Sequence, residues 1–303
     1  MKRVKRILKW AGIVVGVVLV GAAGVVFFQV RAFNTSMAKV YDVALPKMTR
    51  SNDPAVLERG KHLAESMGEC ILCHGANLAG GRVEPLGPLG TLVIPNITTG
   101  KDGRGNLYSD DQLARLIKHG IKRDGTSVRL MPAQGWAWWP DEDVAALISW
   151  VRAQPPVDGD KGVAKFAIMA KLLDRFDAIP IDVARRIDHA NLPKAPAPRP
   201  DANYGAFVAT SCHGCHGATL SGGPIPGAPP GLAVPLNLTP HETGLKDWTY
   251  QDFTTLLREG KRKNGKVLDP FMPFEALKNL NEVEMSALWA YLQSVPPHPF
   301  GAR

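Results

Sequence analysis

Two pentapeptides of the form Cys-x-x-Cys-His carry the chemistry of this chain. They are Cys70-Ile71-Leu72-Cys73-His74 and Cys212-His213-Gly214-Cys215-His216, and together they use all four cysteines. Two thiols three residues apart on one helical turn reach the two vinyl groups of a single porphyrin and form thioethers. The adjoining histidine then brings its imidazole under the iron. A zinc ribbon sets its two Cys-x-x-Cys pairs roughly 15–20 residues apart, whereas these lie well over a hundred apart. A thioredoxin-like redox pair needs no histidine after it, and here one follows both times. The pattern predicts two covalently bound haem c groups, one on Cys70, Cys73 and His74 and one on Cys212, Cys215 and His216.

The surroundings of the two motifs repeat as well. Cys73-His74-Gly75-Ala76-Asn77-Leu78-Ala79-Gly80-Gly81 returns as Cys215-His216-Gly217-Ala218-Thr219-Leu220-Ser221-Gly222-Gly223. Pro95-Asn96-Ile97-Thr98 returns as Leu236-Asn237-Leu238-Thr239, and Met131-Pro132 as Met272-Pro273. Each unit closes on a Pro-Pro pair, Pro155-Pro156 and Pro296-Pro297. Met131 and Met272 are the candidates for the second axial iron ligand, because a thioether opposite histidine raises the potential and suits electron transfer. A lone methionine more often fills a gap in a core. These two share one place in the repeat, and each precedes a proline that keeps its loop extended and stiff. His62, His119, His213 and His241 do not recur between the units; counted from the cysteines His62 aligns with Tyr204, and counted from Ser109 and Thr249 His119 aligns with Glu259. They read as surface histidines, and Met67, Met169 and Met285 as packing residues. Asn96 and Asn237 are expected to hold loops near the haem edge through side-chain to backbone hydrogen bonds. Trp136, Trp138 and Trp139 read as core.

The elements that position these residues read as helices, with no strand expected. Asp53 to Gly68, with Pro54 early, suits a first helix. Ser109 and Gln112 form a capping box for a helix that ends at Gly120, and Thr249 with Asp252 opens its copy, ending at Gly260. Asp141 and Asn281 open the terminal helices. The fold class is therefore all-α: two tandem domains, 52–156 and 201–300, each a small helical fold around one covalent haem. A domain of roughly 100 residues has a modest core, and the haem ring would supply part of it. Residues 157–200 are expected to link the domains, with an amphipathic helix over Lys161–Phe176 and a stiff Pro193–Pro200 stretch. The loop with Lys261, Arg262, Lys263 and Lys266 is expected to border the second haem; it reads as a solvated basic loop, and an electrostatic guide for an acidic partner is the competing reading.

Residues 1–33 form a basic tip and an apolar run. Lys2, Arg3, Lys5, Arg6 and Lys9 precede the uncharged stretch Trp10 to Val30, which is long enough to cross the hydrocarbon layer. Cations in front keep the N-terminus inside and export the rest. Cleavage after a small-residue site near Ser36-Met37-Ala38 is the rival reading. Five of the 36 Lys and Arg lie in the first nine residues, leaving 31 against 28 acids. The formal charge of +8 thus reports membrane orientation, not nucleic-acid binding.

The repeated Cys-x-x-Cys-His-Gly-x-x-Leu-x-Gly-Gly, the Asn-x-Thr run and the later Met-Pro resemble the bacterial class I cytochrome c superfamily. More narrowly, the chain is similar to the cytochrome c subunits of membrane-bound alcohol, gluconate and related dehydrogenases, over about residues 52–298. The resemblance implies a relay in the periplasm, single-pass in the inner membrane. It would take electrons from a dehydrogenase and hand them to quinone, an oxidase or another cytochrome, without activity of its own. It implies thioethers at Cys70, Cys73, Cys212 and Cys215, proximal ligands His74 and His216, and distal ligands Met131 and Met272. Those subunits typically carry three haem motifs, and this chain has two. The competing reading is a dihaem redox enzyme, a peroxidase or an oxidase of small sulfur compounds, which would need an open iron position and an acid or base beside it.

Overall fold

A computed structural model describes residues 2–84, 86–226, 228 and 231–303. The chain opens with α1 (Lys2–Met37), whose apolar stretch is left uncovered by the rest of the protein and is long enough to cross a membrane. The first lobe follows. It contains α2 (Pro54–Glu65), α3 (Cys70–His74), β1 (Val83–Glu84), β2 (Gly90–Val93), α4 (Asp110–His119), α5 (Ala133–Trp136) and α6 (Asp141–Ala153). A connector carries β3 (Val163–Phe166) and α7 (Ile168–Arg175). The second lobe has α8 (Ala202–Val208), α9 (His213–His216), α10 (Tyr250–Glu259), α11 (Phe274–Leu277) and α12 (Glu282–Ser294).

Local chemistry starts the helices where the sequence placed them, although α2 ends at Glu65, short of the expected Gly68. Asp53 accepts the Ala55 amide at the start of α2, with proline at the first helical position. Ser109–Gln112 and Thr249–Asp252 are reciprocal capping boxes, and Gly120 and Gly260 end α4 and α10 in the left-handed conformation. Such caps satisfy amides and carbonyls that a helix cannot satisfy itself.

In each lobe the first and last helices cross at a glycine. A Cβ on Gly60 would lie 2.1 Å from the Ala146 carbonyl oxygen, and one on Gly205 would lie 1.9 Å from that of Ala287. Only glycine permits this approach. The crossing pairs Gly60 with Gly205, so His62 corresponds to Phe207 and not to Tyr204. Counting from the cysteines misplaces it because the second lobe is three residues shorter between that glycine and its first cysteine.

The fold is not purely helical. β1, β2 and β3 form an antiparallel sheet with Val83 opposite Val93 and Gly90 opposite Phe166. Strands of two to four residues are too short for hydrophobic alternation to register. Gly90, at φ +137, lets β3 come so close that a Cβ there would sit 2.1 Å from the Lys165 carbonyl oxygen. The start of the connector is therefore sewn onto the first lobe. The helix expected over Lys161–Phe176 is a strand in its first half, and α7 occupies only Ile168–Arg175. Ala170 of α7 packs with Phe33 of α1 and Ile181, so this helix meets the N-terminal helix.

The lobes share one buried cluster, which runs from Leu63, Trp139 and Leu147 to Tyr204, Phe207, Met285 and Leu292. Polar bonds cross the same boundary. His62 Nε2 lies 2.9 and 2.8 Å from the two carboxylate oxygens of the fully buried Glu284. Arg59 forks onto Asp143 at 2.8 Å and reaches Glu284 at 3.5 Å, and Asn279 Nδ2 donates to the Glu65 carbonyl at 2.9 Å. Trp136 and Trp139 are core, as is Met285, and Met67 packs against the core. Two residues depart from expectation. Met169 is 55% exposed and packs little. His119 is buried, with Nδ1 3.1 Å from Nδ1 of His189, and burial followed by the charge on His189 pushes its pKa down to about 4.

Candidate haem sites

His74 ends α3 and His216 ends α9. His74 Nδ1 donates to the Pro95 carbonyl at 2.9 Å, and His216 Nδ1 donates to the Leu236 carbonyl at 2.7 Å. A carbonyl oxygen can only accept, so Nδ1 carries the proton in both rings. Nε2 is left with its lone pair, the form a metal requires, and the carbonyl fixes the ring's orientation. Burial holds both imidazoles below the usual histidine range, with the carbonyl bond opposing it. The donor set and its supporting carbonyls fit a haem.

The carbonyls are positioned by the glycine pair after each motif. Gly80 and Gly222 have φ +64 and +71, and their amides return to the carbonyls of His74 and His216, each at 2.9 Å. A Cβ on either would lie 2.4 Å from backbone of the Pro95 or Pro235 segment. Leu78 and Leu220 adopt the left-handed conformation too, at φ 57 and 60, and both are fully buried. Leucine there costs about 1–2 kcal/mol, and burial of the whole side chain offsets it.

Asn96 and Asn237 make the expected side-chain to backbone bonds. Each carboxamide oxygen accepts the amide two residues on, Thr98 at 2.8 Å and Thr239 at 2.9 Å. Each Nδ2 donates at 2.7 Å to the residue after the Pro-Pro pair, Val157 in one lobe and His298 in the other. Thr98 and Thr239 add hydroxyl bonds to the same two carbonyls. The lobe's exit strand is thereby locked to the loop that orients its histidine. The repeated Pro-Pro was the trace of this lock in the sequence, and the roles of Val157 and His298 were not read from it.

No disulfide joins the four cysteines. Burial pushes Cys70 and Cys212 up to about 12 and raises Cys73 and Cys215. Glu69, at φ 52, leads into the first motif, and burial pushes its carboxyl up to about 7. Its charge raises both Cys212 and Cys215, and Cys70 and Cys212 pack on the same cluster. Glu69 therefore lies close enough to the second motif for its charge to be felt there, which no spacing in the sequence disclosed.

Met131 and Met272 are half-buried on that same cluster. Each carbonyl accepts the amide two residues on, from Ala133 and Phe274, both at 2.7 Å, so the two Met-Pro turns are alike. His213 stays with its own turn, with Nδ1 3.3 Å from the Gly217 carbonyl, and His241 bonds Thr243 at 2.9 Å. The basic loop is less free than its sequence implied. Lys263 pairs with Asp252 at 3.0 Å and Lys261 with Glu259 at 3.5 Å, leaving Arg262 and Lys266 without a carboxylate partner among the described residues.

Comparison with known proteins accounts for both lobes. Residues 55–151 match the family model described as cytochrome c oxidase, cbb3-type, subunit III, and residues 204–296 match that of cytochrome c. The chain is 28% identical to the fructose dehydrogenase cytochrome subunit of Gluconobacter japonicus, over 83% of this chain and 54% of that protein. It is 25% identical to the cytochrome c subunit of a quinone-type alcohol dehydrogenase of Gluconacetobacter polyoxogenes, over 83% and 58%. A shorter match, 37% identical over 33% of this chain and 23% of the relative, joins it to the gluconate 2-dehydrogenase cytochrome c subunit of Pantoea cypripedii. The chain spans about half the length of the first two. Behind its N-terminal apolar helix, this chain is built of two cytochrome c domains in tandem.

Proposed function

We propose that the chain is a membrane-anchored electron relay with two covalent haem c groups. It takes electrons from a periplasmic or membrane-bound dehydrogenase and passes them to quinone, an oxidase or another cytochrome. The observation that carries this reading is the matched pair of histidines, His74 and His216, each with Nδ1 bound to a carbonyl and Nε2 free. Bound haem supplies one-electron exchange at iron. The chain does the rest. Cys70, Cys73, Cys212 and Cys215 hold the rings. His74 and His216, with Nε2 free, would supply imidazole ligands to the metal, and Met131 and Met272, on matching Met-Pro turns, would supply thioether ligands. Such a ligand pair would favour the reduced state and suit electron transfer.

The shared core and the buried Arg59–His62–Glu284 bonds keep the two sites in one body, so exchange between them needs no domain motion. The similarity to cytochrome subunits of fructose, alcohol and gluconate dehydrogenases supports a dehydrogenase as donor. The five cations ahead of the apolar stretch of α1 support an inside N-terminus with both lobes outside. Carbon monoxide added to the reduced protein tests the relay against the enzyme reading. Two six-coordinate sites leave the spectrum unchanged. Stoichiometric binding at one of them would reveal an open position and favour a dihaem redox enzyme.

A further inference from the structure

The end of α1 that meets the first lobe carries a cavity of about 450 Å³ lined in part by Phe33, Met37, Phe166, Arg129, Lys165 and Lys171. A groove of about 410 Å³ adjoins it through Asn34 and Ala38 and runs back along α1 past Arg31 and Val30 to Phe27. A pocket with three cations at one end and an apolar trough at the other has the polarity of a phospholipid.

Its height relative to a bilayer follows from the helix. Trp10 to Phe28 carries no charge, and at about 1.5 Å per residue it spans about 30 Å, the hydrocarbon thickness. The outer boundary then falls near Gln29. Arg175 Nε donates to Gln29 Oε1 at 3.4 Å, and Lys171 Nζ donates to Asn34 Oδ1 at 3.1 Å. α7 therefore runs antiparallel to α1, with its Arg175 end at the boundary and the exposed Phe176 just beyond it. Asn34 lies about 7 Å farther out, within the headgroup layer of about 5–7 Å.

The cations at that level are available. Arg129 and Lys165 have no carboxylate partner among the described residues. Asp174 is paired with Arg185 and Arg186; Asp182, opposite Arg129 in a single β-bridge, accepts from Ser36 on Oδ2 and forms no ion pair with Arg129, Lys165 or Lys171 among the described residues.

We propose that this cavity and groove bind one anionic phospholipid of the outer leaflet, with its phosphate among Arg129, Lys165 and Lys171 and its upper acyl chain along Val30 and Phe27. The proposal rests on the reading that α1 spans the bilayer. Such a lipid would fix the rotation of the first lobe about its anchor, and with it the surface the lobes present to a partner along the membrane.

The test uses the full-length holoprotein in mild detergent, with native mass spectrometry during titration by phosphatidylglycerol or phosphatidylcholine. The wild type is expected to retain one phosphatidylglycerol in preference to phosphatidylcholine. Arg129→Gln, Lys165→Gln and Lys171→Gln should each weaken it about fivefold. Lys165→Arg should retain it, and unchanged haem absorbance certifies folding in every variant. Equal retention of both lipids, or a triple glutamine variant that binds like wild type, overturns the proposal. So does full displacement by millimolar inorganic phosphate, which would mark a simple anion site. Alkaline carbonate washing of membranes is read in parallel. Retention of wild type and variants alike is expected, and release of the wild type would overturn the spanning reading itself.

Discussion

The bond between His62 and Glu284 is the most incisive point at which to perturb the junction of the lobes. Glu284 is fully buried, whereas His62 and Arg59 keep 20% and 29% of their side chains exposed. A hydrogen bond to a buried charged group contributes about 1.5–3 kcal/mol net. Partial exposure of His62 and the second contact from Arg59 place the expected coupling near the lower end, about 1.5 kcal/mol. His62→Ala and Glu284→Gln should each destabilise the holoprotein by about 2 kcal/mol, and the double variant by about 2.5 kcal/mol instead of the sum. Guanidinium unfolding, followed by tryptophan fluorescence and haem absorbance together, measures the cycle. The pH dependence has a definite sign. Burial raises the Glu284 carboxyl, but the His62 bond and charge, the Asn281 amide and Arg59 outweigh it, and the pKa lies below the usual carboxylate range. Its stabilisation is thus complete above that range and is lost as pH falls through the depressed value. Additivity within about 0.5 kcal/mol at neutral pH would refute the linkage.

Two further outcomes follow from the repeat. Gly205→Ala forces a methyl against the Ala287 carbonyl, 1.9 Å away, and overpacking of this kind costs about 1–3 kcal/mol; thermal melting should fall accordingly, while Gly135→Ala, which meets nothing within 4 Å, should leave it nearly unchanged. Met131→Ala and Met272→Ala should each remove about half of the near-infrared sulfur-to-iron charge-transfer band and lower the potential of one haem; a full band in both variants would reassign the distal ligands.

The features legible in the sequence are those whose cause is local. A capping box is complete within four residues, so Ser109, Thr249 and their helices could be placed without a structure. The Gly-Gly pairs and Asn96 with Asn237 were visible because the duplication printed them twice. The sheet was not visible, because β3 owes its conformation to Gly90 and β2, more than seventy residues away. Glu284 illustrates the same limit. It reads as the third residue of a capping box with Asn281, and it does accept that amide at 2.9 Å. Its second duty, toward His62, joins residues 222 positions apart, and no one-dimensional pattern connects them. The influence of the Glu69 charge on Cys212 and Cys215 is hidden for the same reason.

The central claim is that each cytochrome c domain carries its own covalent haem on its own Cys-x-x-Cys-His. The most direct measurement is the intact mass of the denatured protein, made with haem maturation, beside the pair variants Cys70→Ala/Cys73→Ala and Cys212→Ala/Cys215→Ala. The account predicts the polypeptide plus two haems for the wild type and plus one for either variant. A wild type carrying one haem, or a pair variant that keeps both, would contradict it.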